Sequence, residues 1–149
     1  MITLIAGLPG SGKSHWIADE VARTGSVNFD DFRANSFGND PRIARSSKLP
    51  DLRQAITMGL SALVSDIAFC EAAMRAEMEQ LLEQEFPRVP HAWLFFEADA
   101  GQCRRNLEDD PEGNSERLGM LKRFAPGYKI PPGAEVLPVW RGKSSAPDS

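Results

Sequence analysis

Residues Gly7–Ser14 read Gly-Leu-Pro-Gly-Ser-Gly-Lys-Ser and satisfy G-x-x-x-x-G-K-[ST] at every fixed position. Before this run stands Ile2–Ala6, short, apolar and rich in β-branched residues, which reads as a buried strand. After it, Ser14–Arg23 reads as a helix. A glycine turn joining a buried strand to a helix start leaves few folds open. Gly7, Gly10 and Gly12, with Leu8, Pro9 and Ser11 between them, let the backbone turn tightly and aim successive N–H groups at phosphate oxygens. Lys13 is placed to reach the β- and γ-phosphates and Ser14 to hold Mg2+. The helix N-terminus adds partial positive charge at the same point. The expected ligands are a nucleoside triphosphate, ATP, and Mg2+.

The remaining sequence alternates strand-like and helix-like segments. Gly25 ends the first helix, and Ser26–Phe29 reads as a second strand followed at once by Asp30 and Asp31. Asn35–Pro50 is polar and broken by Gly38, Pro41 and Pro50, and reads as a loop or mobile segment. Pro50–Gly59 suits a helix with Leu52, Ala55, Ile56 and Leu60 on one side. Ser61–Asp66 reads as a third strand ending in an acid, and Glu71–Glu85 as an amphipathic helix with Ala73, Met74, Met78, Leu81 and Leu82 at helical spacing. His91–Glu97 is a central fourth strand, Ala100–Glu108 and Ser115–Phe124 are helices, and Glu135–Val139 is a fifth strand that Pro138 assigns to an edge.

Strands separated by helices predict an α/β three-layer sandwich, with a five-stranded, mainly parallel sheet and helices on both faces. At 149 residues the chain fits one domain, residues 1–140, with a tail at 141–149. A net charge of −4 argues against broad nonspecific attachment to nucleic acid. No apolar stretch is long enough for a membrane span, and the N-terminus leads straight into the first strand rather than a signal peptide. Cys70 and Cys103 lack metal-ligand spacing and read as reduced thiols, so a cytoplasmic location is expected.

Ligands of parallel α/β sheets bind beyond the carboxyl ends of the strands. The glycine loop, the Asp30–Asp31 pair and Asp66 all fall at such ends. A base for an acceptor hydroxyl is the role that suits the acid pair, of which only one member faces the acceptor. Asp66 suits outer support of Mg2+, or the capping of a helix. Arg42, Arg45 and Lys48 form a basic stripe that suits either an acceptor phosphate or a solvated face. His15 and His91 read as structural, Trp93, Phe95 and Phe96 as core, and Arg141 as a surface arginine.

Taken together, Gly7–Ser14, the run Asn28-Phe29-Asp30-Asp31-Phe32-Arg33, the apolar run ending in Asp66, and Arg105-Asn106 resemble the kinase domain of phage-type 5′-polynucleotide kinases. Wider relatives are small P-loop kinases, including gluconate, adenylylsulfate and chloramphenicol kinases. The resemblance implies the P-loop NTPase fold and ATP-dependent phosphate transfer to a hydroxyl. It implies Asp30 as general base, Asp31 and Arg33 near the acceptor, Asp66 behind the metal, and Arg105, or its neighbour Arg104, as the lid arginine on the donor phosphates. The implied acceptor is a nucleic-acid 5′ end or a small molecule such as a sugar, nucleoside or antibiotic. The other class is an ATP-binding or hydrolysing module that transfers nothing. The chain departs from the polynucleotide pattern at Phe29, where near relatives are basic, at Asp109 and Asp110 after the lid, and at Ile67-Ala68-Phe69, which is apolar. All three lie on the side that would meet a polyanion.

Overall fold

The computed structural model describes residues 1–32, 48–110 and 115–141. Five strands form one sheet: β1 (Ile2–Ala6), β2 (Val27–Phe29), β3 (Ala62–Ser65), β4 (His91–Phe96) and β5 (Glu135–Leu137). Their order is β2-β3-β1-β4-β5, and every pairing is parallel. The expected sheet is thus present, wholly rather than mainly parallel. Ile2 sits opposite Ala62 on one side and His91 on the other, which makes β1 the centre of the sheet. Both β1 and β3 end beside the point where successive connections leave in opposite directions, so the crevice of a parallel sheet opens there.

The helices are α1 (Lys13–Thr24), α2 (Leu49–Thr57), α3 (Ala72–Glu85), α4 (Ala100–Glu108) and α5 (Ser115–Phe124). The two faces of the sheet are covered unequally. Ile5, Leu63, Leu94 and Phe96 meet Ile17, Trp16 and Val21 of α1. The other face carries the larger core, in which Ile2, Leu4 and Ala6 of β1 pack with Leu52, Met78, Leu82, Leu107 and Phe124 from the remaining helices. Alternation along β1 explains this split, because successive side chains leave a strand on opposite faces. The tail at 142–149 and the breaks at Pro111 and Gly113 lie outside the described residues.

Local readings were corrected in two places. Leu60, assigned to the apolar side of α2, lies beyond its end and is exposed. In α3 the buried positions are Arg75, Met78, Leu81 and Leu82, while Ala73 is exposed. A hydrophobic period cannot reveal a buried arginine, and Arg75 is buried because carbonyls and a ring meet its planar fork. Nη1 donates to Phe69 O at 2.8 Å, Nη2 donates to Lys129 O at 3.1 Å, and the guanidinium lies 5.2 Å from the Phe95 ring centre. Next to Lys129, the buried Tyr128 donates from its hydroxyl to Phe96 O at 2.5 Å, with Ala6 O at 3.3 Å. Burial raises that phenol well above its ordinary pKa. These two side chains fasten the segment after α5 to the turn after β3 and to the carboxyl ends of β1 and β4.

Replacing Arg75 by Met should leave two carbonyls inside the core without donors. We expect a loss of about 2–4 kcal/mol in urea unfolding. A wild-type midpoint would show that neither carbonyl depends on Arg75.

Candidate active site

The loop between β1 and α1 is fixed in place by packing as well as by glycine. Leu8 is buried in the large core, and Ser11 N donates to Leu8 O at 3.1 Å to close the turn. Gly10 and Gly12 have φ of 84° and 95°, the left-handed region that suits glycine. A Cβ at Gly10 would stand 2.5 Å from the Cys103 carbonyl oxygen of α4, and one at Gly12 would stand 2.4 Å from Cβ of Trp140. The loop is therefore wedged between α4 and the segment after β5. Hydrogen bonds complete the wedge. Asn106 Nδ2 donates to Gly10 O at 2.8 Å and to Trp140 O at 2.5 Å, and Trp140 N donates to Ser11 O at 2.9 Å. The Trp140 ring stacks on His15 with centroids 4.6 Å apart.

Two side chains of the loop are suited to anionic oxygen. Lys13 donates to Gly7 O at 2.5 Å, and burial lowers its pKa below the ordinary lysine value. An anion beside it would favour the charged form and raise that pKa again. Ser11 Oγ is buried with no hydrogen-bond partner among the described residues. A hydroxyl left in that condition costs about 1–3 kcal/mol, and a phosphate oxygen in the loop would supply its acceptor. The described lining of the cleft here, about 140 Å³, includes Ser11, Lys13, Ser14, Asn106, Arg117 and Trp140. Among the described residues no three His, Cys, Asp or Glu side chains gather to hold a metal. Ser14 and Asp66, the two residues expected to serve Mg2+, carry oxygens of the kind that ion takes, its remaining ligands commonly being phosphates and water.

A second cleft, of about 490 Å³, shares Lys13, Ser14 and Arg117 with the first and reaches the ends of β2 and β3. Asp30, Asp31 and Asp66 all line it. Ser65 sets the acid pair by two bonds: its Oγ donates to Asp30 Oδ1 at 2.9 Å, and its carbonyl accepts from Phe32 N at 3.2 Å. Phe32 is buried and anchors the turn, and Asp31 is held at φ 51°, a left-handed conformation that only a few non-glycine residues adopt. Lys48 Nζ donates to the Asp30 carbonyl oxygen. Asp66 is almost fully buried and caps the short 3-10 turn Ile67–Cys70, its Oδ1 accepting from Ala68 N at 2.9 Å. Capping is one of the two roles the sequence offered it, and the residue also lines the cleft.

The two arginines on α4 are placed differently. Arg104 and Arg105 are exposed, Arg105 donates to Gln102 Oε1 at 3.0 Å, and neither lines the two clefts. Arg117, in the first turn of α5, lines both. Sequence reading passed over it. A cation at a helix N-terminus is locally unfavourable, and that was the available sign that Arg117 differs from a plain surface arginine. Trp140 was also missed, whereas its clamping neighbour Asn106 entered only through the resemblance. Arg33, Arg42 and Arg45 lie outside the described residues. Arg141 is paired with Glu97 and Asp99 at 3.2 and 3.6 Å, and His91 with Glu79 at 2.8 Å. Trp93 is half-buried and donates to Glu79 at 2.5 Å. Cys70 and Cys103 are buried, and desolvation pushes their thiols up to about 11 and about 12, so neither is a nucleophile near neutral pH. No described helix is long and apolar enough to cross a membrane.

Residues 2–115 match the family model described as an AAA domain. Among solved structures, a gluconokinase from Sinorhizobium meliloti 1021 superimposes with a TM-score of 0.58 at 17% identity, covering 92% of this chain and 81% of that one. A sugar kinase from Janibacter sp. HTCC2649 gives 0.56 at 16% identity, covering 93% and 83%. Kti12 from Chaetomium thermophilum, in complex with ADP-AlF3, gives 0.52 at 15% identity, covering 97% and 92%. These likenesses establish a P-loop NTPase-like fold. No curated protein matches the chain in sequence.

Two substitutions test the loop. Gly12→Ala and Gly25→Ala both force alanine into left-handed backbone, at about 1–2 kcal/mol each. Only the first meets an obstacle, since a Cβ at Gly25 has open space. Gly12→Ala should lose a further ~1–3 kcal/mol in thermal or urea unfolding, and equal losses would show that Trp140 does not brace the loop. Ser11→Ala should leave the free protein as stable or more so, while weakening ATP about fivefold by calorimetry, the scale of one hydrogen bond. Unchanged affinity would release Ser11 from the phosphate site.

Proposed function

The chain belongs to the AAA-domain family, and on that premise we propose that it is an ATP-dependent phosphotransferase that moves the γ-phosphoryl group of ATP to an alcohol. The observation that carries this reading is the sharing of Lys13, Ser14 and Arg117 by the phosphate cleft and by the cleft that holds Asp30. A nucleotide held in the loop would present its terminal phosphate toward the carboxylates at the ends of β2 and β3. A protein that only bound or slowly hydrolysed ATP would not need a second built cleft there. The kinase domain is assigned to residues 1–140, with the remainder as a tail.

In the proposed reaction Lys13, Ser11 and the loop amides hold the β- and γ-phosphates, and Arg117 covers the transferring group. Ser14 and Asp66 would hold Mg2+, which supplies charge neutralisation at the phosphate oxygens. Asp30 takes the proton of the acceptor hydroxyl. The hydroxyl oxygen forms the new P–O bond, the bond from the γ-phosphorus to the β–γ bridging oxygen breaks, and its electron pair leaves with ADP. Ser65 orients Asp30 through the hydroxyl bond to Oδ1. Arg105, the lid arginine of the resemblance, keeps a role in this scheme only as a second cation that approaches when nucleotide binds.

Asp30→Asn should lower kcat by about 10²–10⁴-fold, the usual worth of a general base, with ATP affinity nearly unchanged. Turnover at the wild-type rate on a confirmed acceptor would remove Asp30 from this role. In the same assay Arg117→Ala should cost more in kcat than Arg105→Ala, and the reverse order would return the clamp to Arg105.

A further inference from the structure

The acceptor cleft has a charge pattern that restricts what it takes. Its described lining carries four carboxylates, Asp30, Asp31, Asp66 and Glu116, against two cations, Lys13 and Arg117. Both cations also line the phosphate cleft, so the donor nucleotide claims them. Asp66 caps a turn beneath the metal position, and Asp30 takes the hydroxyl proton. Asp31 and Glu116 remain on the acceptor side, and the described lining holds no third cation. Asp31 is held there at φ 51°, in left-handed backbone. The non-ionic lining is Pro9, Ile17, Ile67 and Met120 with two serines, Ser14 and Ser65, the latter hydrogen-bonded to Asp30. At about 490 Å³ the cleft falls within the range of small-molecule sites.

We propose that the acceptor is a small hydroxylated amine, whose protonated nitrogen faces Asp31 and Glu116 and whose carbon skeleton lies on Ile17, Ile67 and Met120. The inference rests on the kinase reading above and narrows it. A carboxylated sugar or a nucleic-acid 5′ end would bring negative charge against the same two carboxylates, and like charges facing each other in a contact repel. Asp31 and Glu116 are exposed, so the pairing is made in partly solvated surroundings, and methionine adapts to skeletons of different shape.

The experiment measures transfer from labelled ATP by the full chain to matched acceptors: glucosamine, glucose, gluconate, a 2-amino alcohol with its diol counterpart, kanamycin, and a 5′-hydroxyl oligonucleotide. Each amine should exceed its neutral counterpart at least tenfold in kcat/KM, with gluconate and the oligonucleotide lowest. Glu116→Gln and Asp31→Asn should raise KM for the amine several-fold more than KM for its neutral partner, and an equal rise for both would overturn the inference. Preference for gluconate, glucose or the oligonucleotide would overturn the inference and keep the kinase reading. ATP binding with transfer to none of the probes would overturn the kinase reading and this inference with it.

Discussion

The site depends on the wedging of Gly10 and Gly12 between α4 and Trp140. A glycine-rich turn alone is loose, because glycine gives up more freedom on folding than any other residue. Here the freedom is removed by neighbours that stand too close for any side chain. Asn106 closes the arrangement by bonding Gly10 O and Trp140 O with one amide nitrogen. The loop is thus held by three distant stretches of sequence. The helix that carries Asn106 follows β4, and Trp140 follows β5, so the loop after the central strand takes its shape only when the far side of the sheet is complete.

The same geometry sorts charge. Cations gather where the loop and α5 meet, and acids gather at the ends of β2 and β3. Strand order produces the separation: β2 and β3 lie to one side of β1, and β4 and β5, with the helices after them, to the other. Phosphoryl transfer needs such a division, with cations over the migrating group and a proton acceptor opposite them. Arg117 stands at the boundary. Its neighbour Glu116 points the opposite way in charge within a single turn of α5, so the start of one helix contributes to both halves.

How much of this was readable from sequence follows from the range of the interaction involved. The strand–loop–helix at the N-terminus was read closely, because apolar runs and glycine spacing are local signals, and so were the alternating elements, which made the parallel sheet expected. The acids at strand ends were found because topology places them. What escaped was set by tertiary contact. Arg75 looks like one more exposed charge on a helix until the Phe69 and Lys129 carbonyls and the Phe95 ring surround it. Arg117 and Arg105 are alike in sequence, each an arginine on a short polar helix. Only the packing of α5 against α4 decides which one overlooks the loop. Resemblance gave weight to Arg105, and the geometry brings Arg117 to the clefts.

The anchoring of α5 explains how an arginine on a terminal helix can be positioned at all. The segment leaving α5 is held by Tyr128 to Phe96 O, and by Arg75 to Lys129 O. Arg75 also holds Phe69 O, three residues beyond Asp66. A displacement of the foot of α5 would therefore pull on the turn that Asp66 caps. Leu121 and Phe124 fix the C-terminal half of the helix in the large core, whereas its first turn has no buried residue. The helix is thus buried in the core at the end away from the clefts, and Arg117 stands in its first turn.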